Sequence, residues 1–285
     1  MKKPLIKIFI SLALVIFVFL NIDIRALLEL LRRVDIFWLF LAFIAFNLSK
    51  IVSAIRLIYY LKEIGIEISN RANLILYYIG MFYNLFLPGG IGGDGYKAYI
   101  LKRDFNKRVS LVLKALVFDR VSGLVALIFL AALLFLFSSF VNLVEWLRYI
   151  AIFVAIFIYL AFYFISKRFK LFFRYFFTTS FLGLLVQILQ LLSAYFIILA
   201  LGVDEVIDFL FLFLLSSVVG VLPITIGGVG VRELTFLYGL ELIGLRGDIG
   251  VAFSLLFFII TLLSSLIGIV FINRAKVEDA KVFNK

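Results

Sequence analysis

The sequence predicts an all-α polytopic membrane protein, and three observations support this fold class. Hydrophobic residues make up 65% of the chain and charged residues only 16%, against about half and about a quarter in an average soluble domain. Several runs reach the length of a spanning helix, which needs about 20 mostly apolar residues. No polar stretch is long enough for a separate soluble domain, so we expect a single transmembrane domain over 1–285.

Six apolar runs are the candidates for full membrane spans. They cover 5–21, 36–61, 110–138, 148–166, 178–201 and 249–272. The first run follows a basic N-terminus but lacks the small residues of a signal-peptide cleavage site, so we interpret it as an uncleaved span. Two further apolar segments, 72–87 and 208–222, each run into a motif rich in Pro and Gly.

The loops alternate in charge, and this pattern predicts the orientation of the spans. The segments 97–108 and 167–174 are rich in Lys and Arg, as are both termini, whereas 202–208 carries acids and no base. Because Lys and Arg are retained on the cytoplasmic side, we predict a protein of the cytoplasmic (inner) membrane with both termini in the cytoplasm. This orientation requires 72–101 and 208–247 each to enter and leave by one face, which predicts two re-entrant elements entering from opposite faces.

An internal repeat relates the two Pro/Gly-rich motifs. The run 87–97 aligns without gaps with 222–232, an offset of 135 residues (222 − 87), and six of the eleven positions are identical. Each half reads span, span, re-entrant motif, span, so we predict two inverted-topology repeats, 1–138 and 139–285. Such repeats recur in secondary transporters, with the substrate site near the midplane between them. The alternative is a chance similarity of two Gly-rich turns.

The two motifs supply a backbone suited to a close turn followed by a new helix. Their residues are Pro88, Gly89, Gly90, Gly92, Gly93 and Asp94 in the first half, and Pro223, Gly227, Gly228 and Gly230 in the second. Proline ends a helix and glycine allows a tight turn, so we expect new helices near Gly95, with Asp94 as N-cap, and near Val231. Free N–H groups at a helix start favour an anion such as phosphate. The alternative is that the glycines only allow close helix packing.

Charged side chains within or beside the spans are the candidate site residues. The basic ones, expected to bind a lipid phosphate, are Lys50, Arg56, Lys97, Arg120 and Arg232. A central Lys or Arg costs about 2.5–3.5 kcal/mol on insertion scales, so Lys50 should face the bundle interior. Arg56 is nearer the cytoplasmic end and could instead extend to the interface. Asp119 and Glu233 are candidate proton or ion-pair sites, and pairing that only holds the helices together is the alternative reading.

The chain contains neither cysteine nor histidine, which excludes several kinds of chemistry. Disulfides, thiolate nucleophiles, histidine bases and Cys/His metal sites all require one of these residues. We therefore predict no metal and no cofactor. The net charge of +11 fits Lys and Arg retained beside the membrane better than nucleic-acid binding, which we do not expect.

Three blocks together resemble a known family over essentially the whole chain: 88–94, the pair Asp119-Arg120, and 223–233. The family is the flippase-like transmembrane domain of the lysylphosphatidylglycerol synthases, the bacterial multiple peptide resistance factors. Its synthase members add a soluble aminoacyltransferase domain, whereas this sequence ends about a dozen residues after its last span. The resemblance therefore implies a stand-alone lipid-translocating half. Lys97 stands where the family often has Arg, and Asp119 where Glu is common.

The function that these features imply is a lipid flippase for a phospholipid or a lipid-phosphate-linked molecule. Buried cations and re-entrant helix N-termini would hold the phosphate while the apolar chains stay in the bilayer. One alternative is a membrane-embedded lipid-phosphate enzyme, a transferase or phosphatase, although no paired-carboxylate or nucleophile motif is present. Another is a non-catalytic membrane partner of a soluble enzyme. The expected partner is a membrane phospholipid or a polyprenyl-phosphate-type lipid, and a homo-oligomer or a soluble synthase or transferase partner stays open.

Overall fold

The computed structural model describes residues 12–86, 92–168, 170, 172–221 and 228–275, and these ranges are helical apart from short connections. The helices are α1 (12–20), α2 (Ile24–Arg32), α3 (Ile36–Glu63), α4 (Asn70–Phe86), α5 (Gly92–Phe105), α6 (Val109–Phe137), α7 (Leu147–Arg168), α8 (Phe176–Leu201), α9 (Val206–Val221), α10 (Val231–Leu242) and α11 (Gly247–Ala275). A short 3-10 helix, Ser139–Asn142, follows α6.

Among the described residues, five helices are long and apolar enough to cross a bilayer: α3, α6, α7, α8 and α11. Each coincides within a few residues with a predicted span, so the prediction of an all-helical polytopic membrane protein is confirmed. Of the predicted span 5–21, the described part is helical, and 5–11 lies outside the described residues. The described parts of α4 and α9 have 17 and 16 residues, and a full span needs roughly 20.

Short polar residues fix several helix ends. The Asp23 carboxylate accepts a hydrogen bond from the N–H of Arg25 at 2.9 Å, which caps α2, and Asp35 caps α3 through the N–H of Phe37 at 2.8 Å. Such caps satisfy N–H groups that have no partner within the helix. Helix α8 ends at Gly202, whose φ of +66° is the left-handed conformation that glycine adopts without strain.

The basic loops lie together at one end of the helix bundle, which we call the basic face. The N–H of Tyr175, before α8, donates to the Glu63 carboxylate at the end of α3, at 3.1 Å. Lys107, which follows α5, packs against the turn before α4. A Cβ added at Gly65 in that turn would lie 3.0 Å from Lys107 Nζ. Helix α4 therefore starts, and α5 finishes, at the same face, as a re-entrant hairpin requires. Residues 87–91, between α4 and α5, lie outside the described residues, and so does the depth that the predicted hairpin reaches.

Acidic residues gather at the opposite end, the acidic face. The N–H of Asp35, before α3, donates to the carbonyl of Ala200 at the end of α8, at 3.2 Å. Asp208, in the first turn of α9, accepts from the N–H of Ser139, after α6, at 2.7 Å. Helices α3 and α8 are thus antiparallel, the relation that an inverted repeat requires of these equivalent helices. The repeat as a whole stays a prediction.

Helices of the two halves pack against each other as well as within their own half. Helices α3 and α8 make the most extensive contact, α4 packs on α11, and α9 packs on α6. In the predicted repeat α4 corresponds to α9 and α11 to α6, so the α4–α11 and α9–α6 contacts are equivalent. The α4–α11 approach is very close, because a Cβ added at Gly268 would lie 2.4 Å from the carbonyl oxygen of Tyr78. The interior between the halves is therefore built by helices from both of them.

Candidate functional site: a basic cavity between the two halves

A cavity of about 580 Å³ lies between the halves. Its described walls come from α3, α4, α5 and α6 of the first half and from α8, α9, α10 and α11 of the second. Within it, polar side chains alternate with apolar ones such as Phe46, Leu124 and Val186. This is the general character of a ligand pocket, in which apolar walls carry a few placed polar groups.

All five predicted phosphate-binding cations line this cavity. They are Lys50 and Arg56 on α3, Lys97 on α5, Arg120 on α6 and Arg232 on α10. The matched positions of the two motifs, Lys97 and Arg232, therefore face one space from opposite halves. The structure brings the five residues together, and their binding of phosphate stays a prediction.

Asp94 joins two of these cations. One carboxylate oxygen lies 3.7 Å from Lys97 Nζ, and the other contacts Arg120 Nε. The sequence predicted Asp94 as the N-cap of a helix beginning near Gly95, but α5 begins at Gly92 and Asp94 is inside its first turn. Because it is one turn before Lys97 on the same helix, Asp94 neutralises part of the basic charge from within the wall.

Arg56 forms the most buried ion pair in the described part of the chain. Its Nε lies 2.8 Å from Asp119 Oδ1, and the two side chains are 5% and 9% exposed. The suggestion that Arg56 extends to the interface is therefore wrong. Two glycines make room for the guanidinium, since a Cβ added at Gly123 would lie 3.1 Å from Arg56 Nη1 and one at Gly183 would lie 3.5 Å away. Asp119 is thus an ion-pair residue.

Lys50 and Arg232 differ from the other three cations. Among the described residues, no carboxylate lies within 4.0 Å of either side chain. Each instead lies over an aromatic ring, with Lys50 Nζ 4.2 Å from the ring centre of Phe46 and the Arg232 guanidinium carbon 5.2 Å from that of Phe257. A ring face attracts a cation but leaves its hydrogen-bond donors unused. These two residues are therefore the cations available to an anion.

Two backbone donors at the starts of the motif helices are already used by the protein. The N–H of Gly93 donates to Asn84 Oδ1 at 2.8 Å. The N–H of Gly230 donates to the Glu233 carboxylate at 2.6 Å, and the Ser254 hydroxyl donates to its other oxygen at 2.9 Å. The expectation that these helix starts offer free N–H groups thus fails at Gly93 and Gly230. Glu233 is buried, serves as a helix cap and does not line the cavity.

The remaining motif residues divide by position. Pro88, Gly89, Gly90, Pro223 and Gly227 lie outside the described residues. Gly92 opens α5, and Gly93 lets α5 approach α4, whereas Gly228 and Gly230 have φ values of +81° and +87°. The described glycines therefore serve close packing and a left-handed turn, while the side chains that follow them face the cavity.

Sequence reasoning missed several polar residues of the wall. Asn84 and Tyr77 on α4 and Gln187 on α8 all line the cavity. Gln187 donates to the carbonyl of Gly123 at 3.1 Å, and Lys97 Nζ lies 4.1 Å from the ring centre of Tyr77. Gln187 could have been predicted from the sequence, because an amide within an apolar span faces the bundle interior for the same reason that a charge does.

Comparison with known proteins places this arrangement in a family. A weak relative, the UPF0104 membrane protein PH1989 of Pyrococcus horikoshii, is 29% identical over 140 residues, a match that covers 48% of this chain and 42% of the relative. The matched segment thus spans less than half the length of that curated protein. The family model described as the lysylphosphatidylglycerol synthase TM region matches residues 5–268. The chain therefore belongs to the family of lysylphosphatidylglycerol synthase transmembrane regions.

Proposed function

We propose that this protein moves a phospholipid or a lipid-phosphate-linked molecule across the cytoplasmic membrane, with the phosphate held by the cations of the cavity. One observation carries the proposal: Lys50 and Arg232, from opposite halves, line one cavity and have no carboxylate partner among the described residues. Unpaired charge within a membrane protein is costly and marks functional sites. A phosphate supplies the missing counter-charge through charge-assisted hydrogen bonds.

The size and position of the cavity suit a headgroup rather than a whole lipid. A volume of about 580 Å³ is within the usual range for small-ligand pockets and leaves the acyl or prenyl chains in the bilayer. Two wall residues on α6 are also well exposed, Val117 by 54% and the Arg120 side chain by 47%. Since α6 is one of the long apolar helices, we infer that the cavity opens sideways beside it, toward lipid.

The arrangement of the halves supports translocation rather than static binding. Both halves contribute to the cavity walls, and their equivalent helices α3 and α8 are antiparallel. In transporters built this way, one repeat rocks against the other around a fixed midplane site and exposes it to each side in turn. Lys50 and Arg232 would then hold the same phosphate in both arrangements.

Reconstitution in liposomes tests this function. Vesicles would carry traces of acyl-labelled fluorescent phosphatidic acid or phosphatidylglycerol, or a labelled polyprenyl phosphate, and a membrane-impermeant reductant would quench the outer leaflet. We expect the protein to expose inner-leaflet label for at least one lipid. Lys50→Ala should slow this by about tenfold or more, because a hydrogen bond to a charged group contributes about 1.5–3 kcal/mol.

The matched control is Lys102→Ala, which removes an exposed lysine of α5 that does not line the cavity. This variant should keep the wild-type rate. Protein-dependent movement of none of the three lipids would refute translocation. Chemical conversion of a lipid, seen by mass spectrometry of the same vesicles, would instead identify a membrane-embedded enzyme.

A further inference from the structure

We propose that the preferred substrate carries a terminal phosphate, a phosphomonoester or diphosphate on a lipid, rather than a phosphodiester headgroup or one bearing an amine. This inference rests on the proposed function and narrows it to a substrate class. It follows from the excess positive charge of the cavity, from basic side chains whose hydrogen-bond donors have no partner, and from carboxylates that are already paired with cations.

The described walls carry a surplus of positive charge. Five basic side chains face two carboxylates, Asp94 and Asp119, which leaves a formal excess of three. Lys50 lies within electrostatic range of Arg232, Arg56 and Lys97, so like charges repel in this space. A phosphodiester supplies one negative charge, whereas a phosphomonoester supplies about 1.5–2 at neutral pH. A terminal phosphate therefore offsets more of the excess.

The unused donors point to the same group. Arg56 Nη1 and Arg232 Nε are buried and have no hydrogen-bond partner among the described residues, and the Lys50 ammonium has only its aromatic contact. Leaving a buried donor without a partner is unfavourable, and more so when the donor is charged. A terminal phosphate presents three strong acceptor oxygens, and a phosphodiester has only two free ones. A terminal phosphate thus offers these donors more acceptors than a phosphodiester does.

Both carboxylates of the described walls already have cation partners. Asp119 is paired with Arg56, and Asp94 contacts both Lys97 and Arg120. An ammonium group, as in an ethanolamine or a lysyl headgroup, would enter a space with excess positive charge and find both described acids engaged. Like charges brought together in such a space repel at a cost that screening by salt reduces little. Headgroups bearing an amine are therefore disfavoured.

Rates for a panel of lipids in the same vesicles test the selectivity. Acyl-labelled phosphatidic acid and a labelled polyprenyl phosphate carry terminal phosphates on two kinds of chain, while phosphatidylglycerol and phosphatidylethanolamine are the diesters without and with an amine. We expect at least one terminal-phosphate lipid to move about tenfold faster than either diester, after subtraction of protein-free rates. Comparison of the two shows whether a glycerolipid or an isoprenoid chain is preferred.

Variants separate selectivity from folding. Lys50→Gln and Arg232→Gln should each lower the ratio of terminal-phosphate to diester rates by several-fold, while Lys102→Gln should leave the ratio unchanged. The ratio is internal to each preparation, so a lower yield of folded protein does not alter it.

The possible failures are distinguishable. Diesters moving as fast as terminal-phosphate lipids would overturn this inference and leave translocation intact, whereas no movement of any lipid would refute the proposed function itself. Uptake of inorganic phosphate into the vesicles without lipid movement would assign the cavity to free phosphate and overturn both.

Discussion

At the level of single residues, the Arg56–Asp119 pair is the contact whose loss should be most costly. Both side chains are less than a tenth exposed, so Asp119→Asn would leave the guanidinium buried without a counter-charge. Breaking a buried pair by removing one partner costs about 3–5 kcal/mol. We expect a correspondingly large fall in the melting temperature of the detergent-purified protein, measured by the fluorescence of its tryptophans.

A matched control exists in the Arg246–Asp248 pair, where the Arg246 side chain is 62% exposed. The Asp248 side chain is 10% exposed, but Arg246, the partner removed, lies in solvent, so Arg246→Gln should lower the melting temperature less than Asp119→Asn does. Equal losses for Arg246→Gln and Asp119→Asn would show that burial does not govern the two pairs and would contradict the structural role given to Asp119.

Sequence alone identified the five cations, but it did not show which of them are paired with carboxylates. Each was visible as a charge in or beside an apolar run, and all five line the cavity. Their partners were not visible, because Arg56 and Asp119 are 63 positions apart and meet only when α3 packs on α6. Periodicity shows which face of a helix is polar, whereas ion pairing depends on which helices meet. The distinction between paired Arg56 and unpaired Lys50 therefore required the structure.

At the level of helices, the first motif should depend on Gly93 and tolerate change at Gly95. A Cβ added at Gly93 would lie 1.9 Å from the carbonyl oxygen of Gly80, a backbone atom of α4, whereas one at Gly95 would meet nothing within 4 Å. Gly93→Ala must push α4 and α5 apart, at a cost of about 1–3 kcal/mol or more. We expect it to lower both the melting temperature and the transport rate.

Gly95→Ala is the control for this prediction, since it adds the same methyl group to the same helix, where an alanine favours helix by up to about 1 kcal/mol. It should preserve both stability and transport. Loss of both properties in Gly95→Ala, or their retention in Gly93→Ala, would contradict the close packing of α4 and α5.

The ends of the long spanning helices could be predicted more closely than the start of the motif helix α5. Long apolar runs give spans within a few residues, because the thickness of a bilayer fixes their length. The start of α5 was placed near Gly95 and lies at Gly92. Glycine disfavours helix by about 1 kcal/mol, so propensity alone delays the start. In the structure, the absence of side chains lets Gly93 pack against Gly80, and tertiary contact outweighs propensity.

At the level of the whole molecule, the segregation of charge between the two ends gives the orientation its physical basis. Lys107 and the turn before α8 share one end with the start of α4, whereas Asp208 and the turn after α6 share the other. The sequence predicted this division because loop charge is read directly from composition. The depth that the two motifs reach in the membrane is not set by loop charge, and residues 87–91 and 222–227 lie outside the described part of the chain.

Single cysteines in this cysteine-free chain would show which end faces the cytoplasm. Arg71, at the start of α4, and Arg108, before α6, are exposed beside the basic face, while Glu145 and Asp204 are exposed beside the acidic face. Because basic loops are retained inside, Arg71→Cys and Arg108→Cys should react with an impermeant maleimide only after the cells are opened, and Glu145→Cys and Asp204→Cys in intact cells. Labelling of Arg108→Cys and Glu145→Cys from the same side would mean that α6 does not cross the membrane. That result would overturn the inverted arrangement, and with it the single site shared by the two halves.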